Sequence, residues 1–160
     1  MQELIAGFAH PLHGGDHLLA MLAVGLWAAR LGGAALWALP TSFVGFTLAG
    51  FAGVPLPGLE PMLAASVFLL GLAIAAALRL PVWAGSALVA LFALFHGHAH
   101  YVELPEGASP AIFAAGLLLS TAALHAAGIT LGLMLARARS WLPRAVGGAI
   151  SLAGACLLLG

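Results

Sequence analysis

Charged side chains are scarce in this sequence, which has five arginines, five carboxylates and no lysine among its 160 residues. A soluble domain carries about 25% charged residues because water must wet its surface. Here the charged fraction is 6% and the mean hydropathy is +1.13. Ten charges cannot coat a soluble globule of this size. The scarcity of charge therefore argues against a soluble protein and predicts an all-α integral membrane protein.

The sequence also lacks a run of basic residues, and its formal net charge is zero. Nucleic-acid binding requires clustered Lys or Arg, so nucleic acid is excluded as a partner. The single cysteine, Cys156, lies in an apolar segment and provides no disulfide framework. No nucleotide-binding motif is present, so we do not expect this chain alone to drive transport with ATP.

Glycine and proline divide the apolar sequence into six segments of roughly 20 residues, the length with which a helix crosses about 30 Å of hydrocarbon. We expect residues 1–160 to form a single domain with six transmembrane helices, since helices satisfy every backbone hydrogen bond in lipid. Short connections predict that consecutive helices are antiparallel neighbours. The predicted spans cover residues 4–29, 35–54, 60–78, 81–100, 110–136 and 141–159.

The positions of the charged residues predict the orientation of these helices. The arginines all fall at the connections that follow helices one, three and five: Arg30, Arg79, Arg137, Arg139 and Arg144. The glutamates fall toward the opposite side: Glu3, Glu60, Glu103 and Glu106. The positive-inside rule then predicts a multi-pass protein of the bacterial inner membrane, with both termini outside in the periplasm.

An N-terminus on the outer side needs a route across the membrane. The first residues, Met1-Gln2-Glu3, have neither a basic n-region nor a separate apolar h-region. We therefore expect that Met1 stands in place of a removed signal peptide, and that the natural gene encodes a further N-terminal segment.

Seven histidines are unusual in so apolar a chain, because imidazole is costly to leave unpartnered in hydrocarbon. The first helix concentrates four ligand-type side chains within eight residues: His10, His13, Asp16 and His17. A regular helix would align its three histidines along one stripe, with the aspartate beside it. Pro11 and the Gly14-Gly15 pair are able to interrupt this helix and turn backbone carbonyls toward a cavity. We interpret the cluster as metal ligands rather than as polar residues that only bridge helices.

A second cluster lies at the end of the fourth helix. His96, His100 and Glu103 follow i, i+4, i+7 spacing and share a face, whereas His98 points elsewhere and, with Tyr101, suits headgroup depth. The predicted topology brings both clusters to the outer side at one depth. Imidazole and carboxylate without thiolate suit nickel, cobalt, zinc or copper(II), and such a mixed set also suits a metal site with an open position.

His125 stands apart from both clusters, well inside the fifth helix. Three roles fit its position: a second metal-binding position along a transport route, a proton acceptor, or a hydrogen-bond donor that bridges helices. The sequence does not choose among them.

At the two clusters the sequence resembles the HupE/UreJ family of bacterial nickel/cobalt transporters. The family signature HPxxGxDH is matched by His10, Pro11, Gly14, Asp16 and His17. The signature FHGxAHGxE is matched by Phe95, His96, Gly97, Ala99, His100 and Glu103. Tyr101 stands where the family pattern has glycine, and His13 and His98 fall at variable positions of the motifs. The resemblance implies secondary transport of nickel or cobalt.

We therefore expect a secondary transporter of Ni²⁺ and/or Co²⁺, with Zn²⁺ as a third candidate, and not an enzyme. The metal is cargo, and we expect no separate cofactor. The expected ligands near the outer side are His10, Asp16, His17, His96, His100 and Glu103, while the participation of His13, His98 and His125 stays open. Expected partners are the lipid bilayer and divalent metal ions, and the sequence is compatible with an oligomer.

Two other functions fit the same residues. The first is an intramembrane zinc-dependent hydrolase, in which Asp16 or Glu103 would act as general base on a zinc-activated water. The second is a scaffold within a larger uptake complex, for which the isolated chain would show no flux. The choice among metals and the coupling to protons are not determined by the sequence.

Overall fold

A computed structural model describes residues 1–53 and 55–160 of the chain. This part of the chain contains seven α-helices and no β-strand, which confirms the all-α prediction. The helices are α1 (Gln2–His13), α2 (Gly15–Leu31), α3 (Ala35–Gly50), α4 (Leu59–Ala75), α5 (Val82–Val102), α6 (Pro110–Ala138) and α7 (Leu142–Leu159). The second predicted span extended to position 54, which lies outside the described residues.

The first predicted helix, residues 4–29, is wrong as one continuous element. Gly14 has φ −93° and ψ 117°, an extended conformation that separates α1 from α2. An extended residue interrupts the i to i−4 hydrogen-bond ladder, so the stripe expected for His10, His13 and His17 is not continuous. The interruption that the Gly14-Gly15 pair permits therefore occurs, and it gives α2 an N-terminus of its own beside the histidines.

In the described ranges, three helices are long and apolar enough to cross a membrane: α5 with 21 residues, α6 with 29 and α7 with 18. Helices α3 and α4 are also apolar but contain only 16 and 17 residues. Large apolar side chains cover the outside of the bundle, with Trp37 77% and Trp83 75% exposed. Histidine, serine and threonine side chains are instead buried within it. An apolar exterior around polar groups is typical of a protein surrounded by lipid.

The helices pack most closely in non-consecutive pairs: α3 with α5, α4 with α7, and both α1 and α2 with α6. Consecutive helices, which the short connections predicted to be neighbours, contact each other less than these pairs do. The reason is the position of small residues, which allow two helix backbones to approach closely. A Cβ atom would collide with the backbone of the partner helix at Gly50 and Gly97 between α3 and α5, at Gly25 and Gly128 between α2 and α6, and at Gly71 and Gly154 between α4 and α7.

Helix α2 lies at the centre of the bundle and contacts α3, α4, α6 and α7. Nearly every residue from Ala20 to Ala28 is buried. His17 stands one turn before this buried stretch, so the centre of the bundle holds the N-terminal turn of α2 in place. Asp16 and His17 of the first cluster are thereby attached to this buried helix, while His10 and His13 lie on α1.

Two hydrogen bonds join the helix ends that carry arginines. The indole Nε1 of Trp27 donates to the carbonyl oxygen of Leu78 at 3.2 Å, and Nε of Arg144 donates to the carbonyl oxygen of Ala75 at 2.9 Å. The C-terminal ends of α2 and α4 therefore lie beside the N-terminal end of α7. This arrangement is consistent with the common side that the positions of the arginines predict.

Candidate metal site

Four histidine rings from α1, α2 and α5 lie close together at the break between α1 and α2. The ring centroid of His17 lies 4.4 Å from that of His100 and 4.9 Å from that of His96. The ring of His10 lies 5.1 Å from that of His100. Histidines that are about 80 to 90 positions apart in sequence thus form one group. The structure brings together the two clusters that the sequence analysis identified, and we call these four rings the histidine group.

Asp16 is hydrogen-bonded to its neighbour His17. One carboxylate oxygen, Oδ1, accepts from the backbone N–H and from ring atom Nδ1 of His17, each at 2.8 Å. Because a carboxylate only accepts hydrogen bonds, Nδ1 carries the proton and Nε2 keeps the lone pair. This Nε2 is buried and has no hydrogen-bond partner within the described residues. Asp16 therefore orients His17 and leaves Nε2 free to bind an ion.

The position of Asp16 also suits its charge. It lies in the first turn of α2, where the aligned peptide dipoles of the helix favour a negative group. The break at Gly14 creates this helix end, and an unbroken helix would not offer it. The carboxylate is thereby held at the histidine group by the local backbone as well as by His17.

Glu103, which follows the last residue of α5, faces His10 of α1. The ring atom Nε2 of His10 donates to Oε2 of Glu103 at 2.8 Å. This hydrogen bond is the principal cause that lowers the pKa of Glu103 below its usual value, so the carboxylate is ionised near neutral pH. One ligand atom each from His10, His100 and Glu103 lie within 4.8 Å of one another. A divalent ion binds such atoms at about 2.1 Å, so these three are close enough together to be candidates for one ion.

His96 and His100 are completely buried. Nε2 of His96 is hydrogen-bonded to the hydroxyl of Ser66 at 3.0 Å, whereas Nδ1 of His96 and both nitrogens of His100 have no partner in the described part of the chain. A buried polar atom without a hydrogen bond costs free energy, and most such atoms in proteins are satisfied. Several imidazole nitrogens without a partner among the described residues therefore lie together at one place, where they could hold a cation.

A cavity of about 400 Å³ opens beside the histidine group. Its lining residues are His10, His13, Gly14, Asp16, His17, Glu60, Leu63 and Glu103. His13 is exposed on this wall and is absent from the ring contacts of the group. Glu60 was used in the sequence analysis only as a marker of the outer side, and its place in the cavity was missed. Glu60 lies at the start of a helix and on the same side as the predicted ligands, and this position could have indicated from the sequence that it lies near the site.

His98 and His125 lie apart from the histidine group. The ring of His98 stacks near that of Tyr101, with centroids 6.4 Å apart. His125 is buried in α6 and contacts the ring of Phe43 at a centroid distance of 5.1 Å. The ring of Phe43 in turn contacts that of His96 at a centroid distance of 5.6 Å. Phe43 therefore lies between His125 and the histidine group. Nothing in the apolar sequence around Phe43 singles it out.

His125 also lines a second cavity, of about 430 Å³, between α3 and α6. The other lining residues are mainly apolar and include Trp37, Pro40 and Ile129. This lining differs from the charged wall of the first cavity. The participation of His125 in any metal route therefore stays an open prediction.

The donor atoms of the histidine group and its two carboxylates are imidazole nitrogen and carboxylate oxygen. Cys156, the single cysteine, is exposed in α7. Donors of this type bind first-row divalent metals, and the affinity order alone does not select among nickel, cobalt, copper and zinc. The chemistry of the site therefore defines a class of ion and leaves its identity open.

Comparison with known proteins covers nearly the whole chain. The family model described as HupE / UreJ protein matches residues 1–157. Protein HupE of Rhizobium leguminosarum bv. viciae is 43% identical over 161 residues, an alignment that covers 98% of this chain and 84% of that protein. No solved structure matches the chain. The resemblance carried by the two histidine motifs is thus confirmed over the full length, and the chain belongs to the HupE/UreJ family.

Proposed function

We propose that this protein is a secondary transporter of a divalent transition metal, Ni²⁺ and/or Co²⁺, which binds at the histidine group with its carboxylates. The observation that carries the proposal is the meeting of four imidazole rings within an apolar helical bundle, where nitrogens of His17, His96 and His100 have no hydrogen-bond partner among the described residues. The choice of nickel or cobalt rests on the resemblance to the family. Zinc is the third candidate.

The charged cavity supports a route by which the ion reaches the group. Glu60 and Glu103 are exposed at this cavity, and their charges attract a hydrated cation before it loses water. The ion then exchanges water for His10, His17, His96 and His100, with Glu103 and the Asp16–His17 pair balancing its charge. Transport also requires binding weak enough for release, which a group of neutral imidazoles permits better than a thiolate cage does.

We propose six membrane spans, with α1 and α2 together forming the first. A helix broken at the binding site, with the N-terminus of its second half beside the ligands, is common in secondary transporters. Both termini would then lie in the periplasm and the arginine-bearing connections in the cytoplasm. The protein would be a single multi-pass domain of the bacterial inner membrane with lipid as its surroundings, and the proposal leaves its oligomeric state open.

The alternative function is an intramembrane zinc hydrolase. It requires a general base that is free to accept a proton from a metal-bound water. Each candidate base accepts a hydrogen bond through one oxygen, Asp16 from His17 and Glu103 from His10, both at 2.8 Å, and its second oxygen is still able to accept a proton. The cavity with exposed carboxylates suits entry of a hydrated ion better than entry of a lipid or peptide from the bilayer. This observation favours transport.

The experiment that tests the proposal is metal uptake by the purified chain in proteoliposomes, comparing Ni²⁺, Co²⁺ and Zn²⁺. We expect His17→Ala and His96→Ala each to weaken metal binding more than about 100-fold, since each removes a ligand rather than the partner of one, and to abolish uptake. His98→Ala is the matched control, because His98 is also buried but lies outside the group. Unchanged metal binding in both ligand variants would refute this site.

The same measurement separates the other two functions. A hydrolase would retain zinc through purification and give no flux. A scaffold would give no flux with any of the three metals, although the full uptake complex would transport.

A further inference from the structure

Ser66 of α4 contacts the histidine group from a helix that belongs to neither family motif. Its side chain is completely buried, and its Oγ lies 2.6 Å from the carbonyl oxygen of Leu63 and 3.0 Å from Nε2 of His96. No other hydrogen bond links α4 to an imidazole of the group in the part of the chain that the structure describes. The two distances together determine which atom donates.

A serine hydroxyl has one hydrogen, and a backbone carbonyl oxygen only accepts. The short contact with Leu63 therefore uses the hydrogen of Ser66. Toward His96 the oxygen of Ser66 is then an acceptor, so Nε2 of His96 must carry a hydrogen and donate it. In a neutral imidazole only one nitrogen is protonated. The lone pair of His96 is consequently on Nδ1.

This Nδ1 is also the nitrogen of His96 that has no partner among the described residues. The ring of His96 stands perpendicular to that of His17, at a centroid distance of 4.9 Å. His17 has the opposite assignment, because Asp16 holds its proton on Nδ1 and leaves the lone pair on Nε2. Each of the two neighbouring rings therefore keeps one buried lone pair, and each is fixed by a partner outside the ring pair.

We propose that Ser66 is a positioning residue of the metal site: its hydroxyl, committed to the carbonyl of Leu63, holds His96 as the Nε2–H tautomer, so that His96 binds the ion through Nδ1. The inference rests on the proposed function for the binding step, although the tautomer itself does not. Groups that fix the tautomer of a ligating histidine commonly change metal affinity by about 10 to 100-fold when removed. This role also gives α4 a direct part in the site.

The first test is nitrogen NMR of the metal-free full chain, labelled with ¹⁵N-histidine and kept at alkaline pH, where the rings are neutral. The His96 signals are identified as those that disappear in His96→Gln. We expect Nε2 to be protonated and Nδ1 to be bare. A wild-type protein in which Nδ1 of His96 carries the proton would overturn the inference, whatever its metal affinity.

The second test removes the hydroxyl. We expect Ser66→Ala to give a mixture of the two His96 tautomers and about 10 to 100-fold weaker Co²⁺ binding, and Ser66→Thr, which keeps the hydroxyl, to restore both. Ser151→Ala is the matched control, since Ser151 donates to the carbonyl of Phe68 at 3.1 Å and has no hydrogen bond to a histidine within residues 1–53 and 55–160. It should leave the tautomer and the affinity unchanged.

The outcomes for the two proposals are distinguishable. Absence of Co²⁺ binding in the wild type would count against the proposed function, while the NMR spectrum would still decide the tautomer. Wild-type binding of Co²⁺ together with an unchanged tautomer and affinity in Ser66→Ala would overturn the role of Ser66 and leave the transporter proposal intact.

Discussion

The substitution Gly97→Ala tests whether close packing of α3 against α5 sets the geometry of the histidine group. Gly97 lies between His96 and His98 on α5, with its Cα facing the backbone of Thr47 on α3. An added Cβ would lie 2.8 Å from the carbonyl carbon and 2.9 Å from Cα of Thr47, and nearer still to its oxygen, whereas ordinary contact begins at 3.4 Å. Backbone atoms cannot rotate away, so the two helices would have to separate by roughly 1 Å.

Two effects of opposite sign compete in this variant. Alanine is better than glycine in a helix by about 1 kcal/mol, while overpacking of a tight contact costs about 1–3 kcal/mol or more. The clash should prevail, because it involves backbone on both sides. We expect Tm to fall by several degrees, at about 2–4 °C per kcal/mol for a chain of this size.

The same separation moves His96 and His100 relative to His17, which is on α2. Their ring centroids lie only 4.9 Å and 4.4 Å from that of His17, so a small displacement of α5 changes how these rings face one another. By analogy with active sites, where a displacement of about 1 Å costs about 100-fold, we expect Co²⁺ affinity to fall by about 10 to 100-fold.

The assay is Co²⁺ titration of the purified protein, followed by its visible absorption, together with thermal unfolding followed by tryptophan fluorescence. The matched control is Gly148→Ala on α7, where an added Cβ meets nothing within 4 Å. It should keep wild-type affinity and a Tm equal to or slightly above that of the wild type. A Gly97→Ala protein with unchanged Tm and unchanged Co²⁺ affinity would refute the close packing and its link to the site.

Two further predictions concern pH and topology. Metal binding should weaken as the pH falls, because protons compete with the ion for the imidazole nitrogens and neutral imidazole is the ligand form. The hydrogen bond from His10 lowers the pKa of Glu103, so this carboxylate stays ionised in mildly acidic solution. A Co²⁺ titration in which the affinity does not fall as the pH is lowered would contradict ligation by histidine. For topology, the test is labelling of intact cells with an impermeant thiol reagent, using single-cysteine variants made in a Cys156→Ser background. We expect the reagent to label Glu106→Cys, which lies in the α5–α6 connection. It should not label Ser140→Cys, which lies in the arginine-rich α6–α7 connection. The reverse labelling pattern would show that the proposed orientation is wrong.

The class of protein and the chemistry of the site could be predicted from the sequence because both depend on local composition. Ten charges in 160 residues exclude a wetted surface, and helical periodicity requires no knowledge of neighbouring helices. The spacing of His96, His100 and Glu103 correctly indicated residues at one end of one helix. The arrangement of apolar segments also predicted that Asp16 and Glu103 lie at one end of the bundle, and both line the same cavity.

Contacts between helices were decided only by the tertiary structure. Glycines distant in sequence, such as Gly50 and Gly97, select the helix pairs, and short connections do not. Glu60 joins the cavity and Ser66 joins the histidine group because α4 lies beside α2 and α5. A pattern along one helix reports what that helix buries and exposes. Which atoms of another helix meet it depends on backbone approach across the bundle, and this approach gives each histidine its hydrogen-bond partner and its free nitrogen.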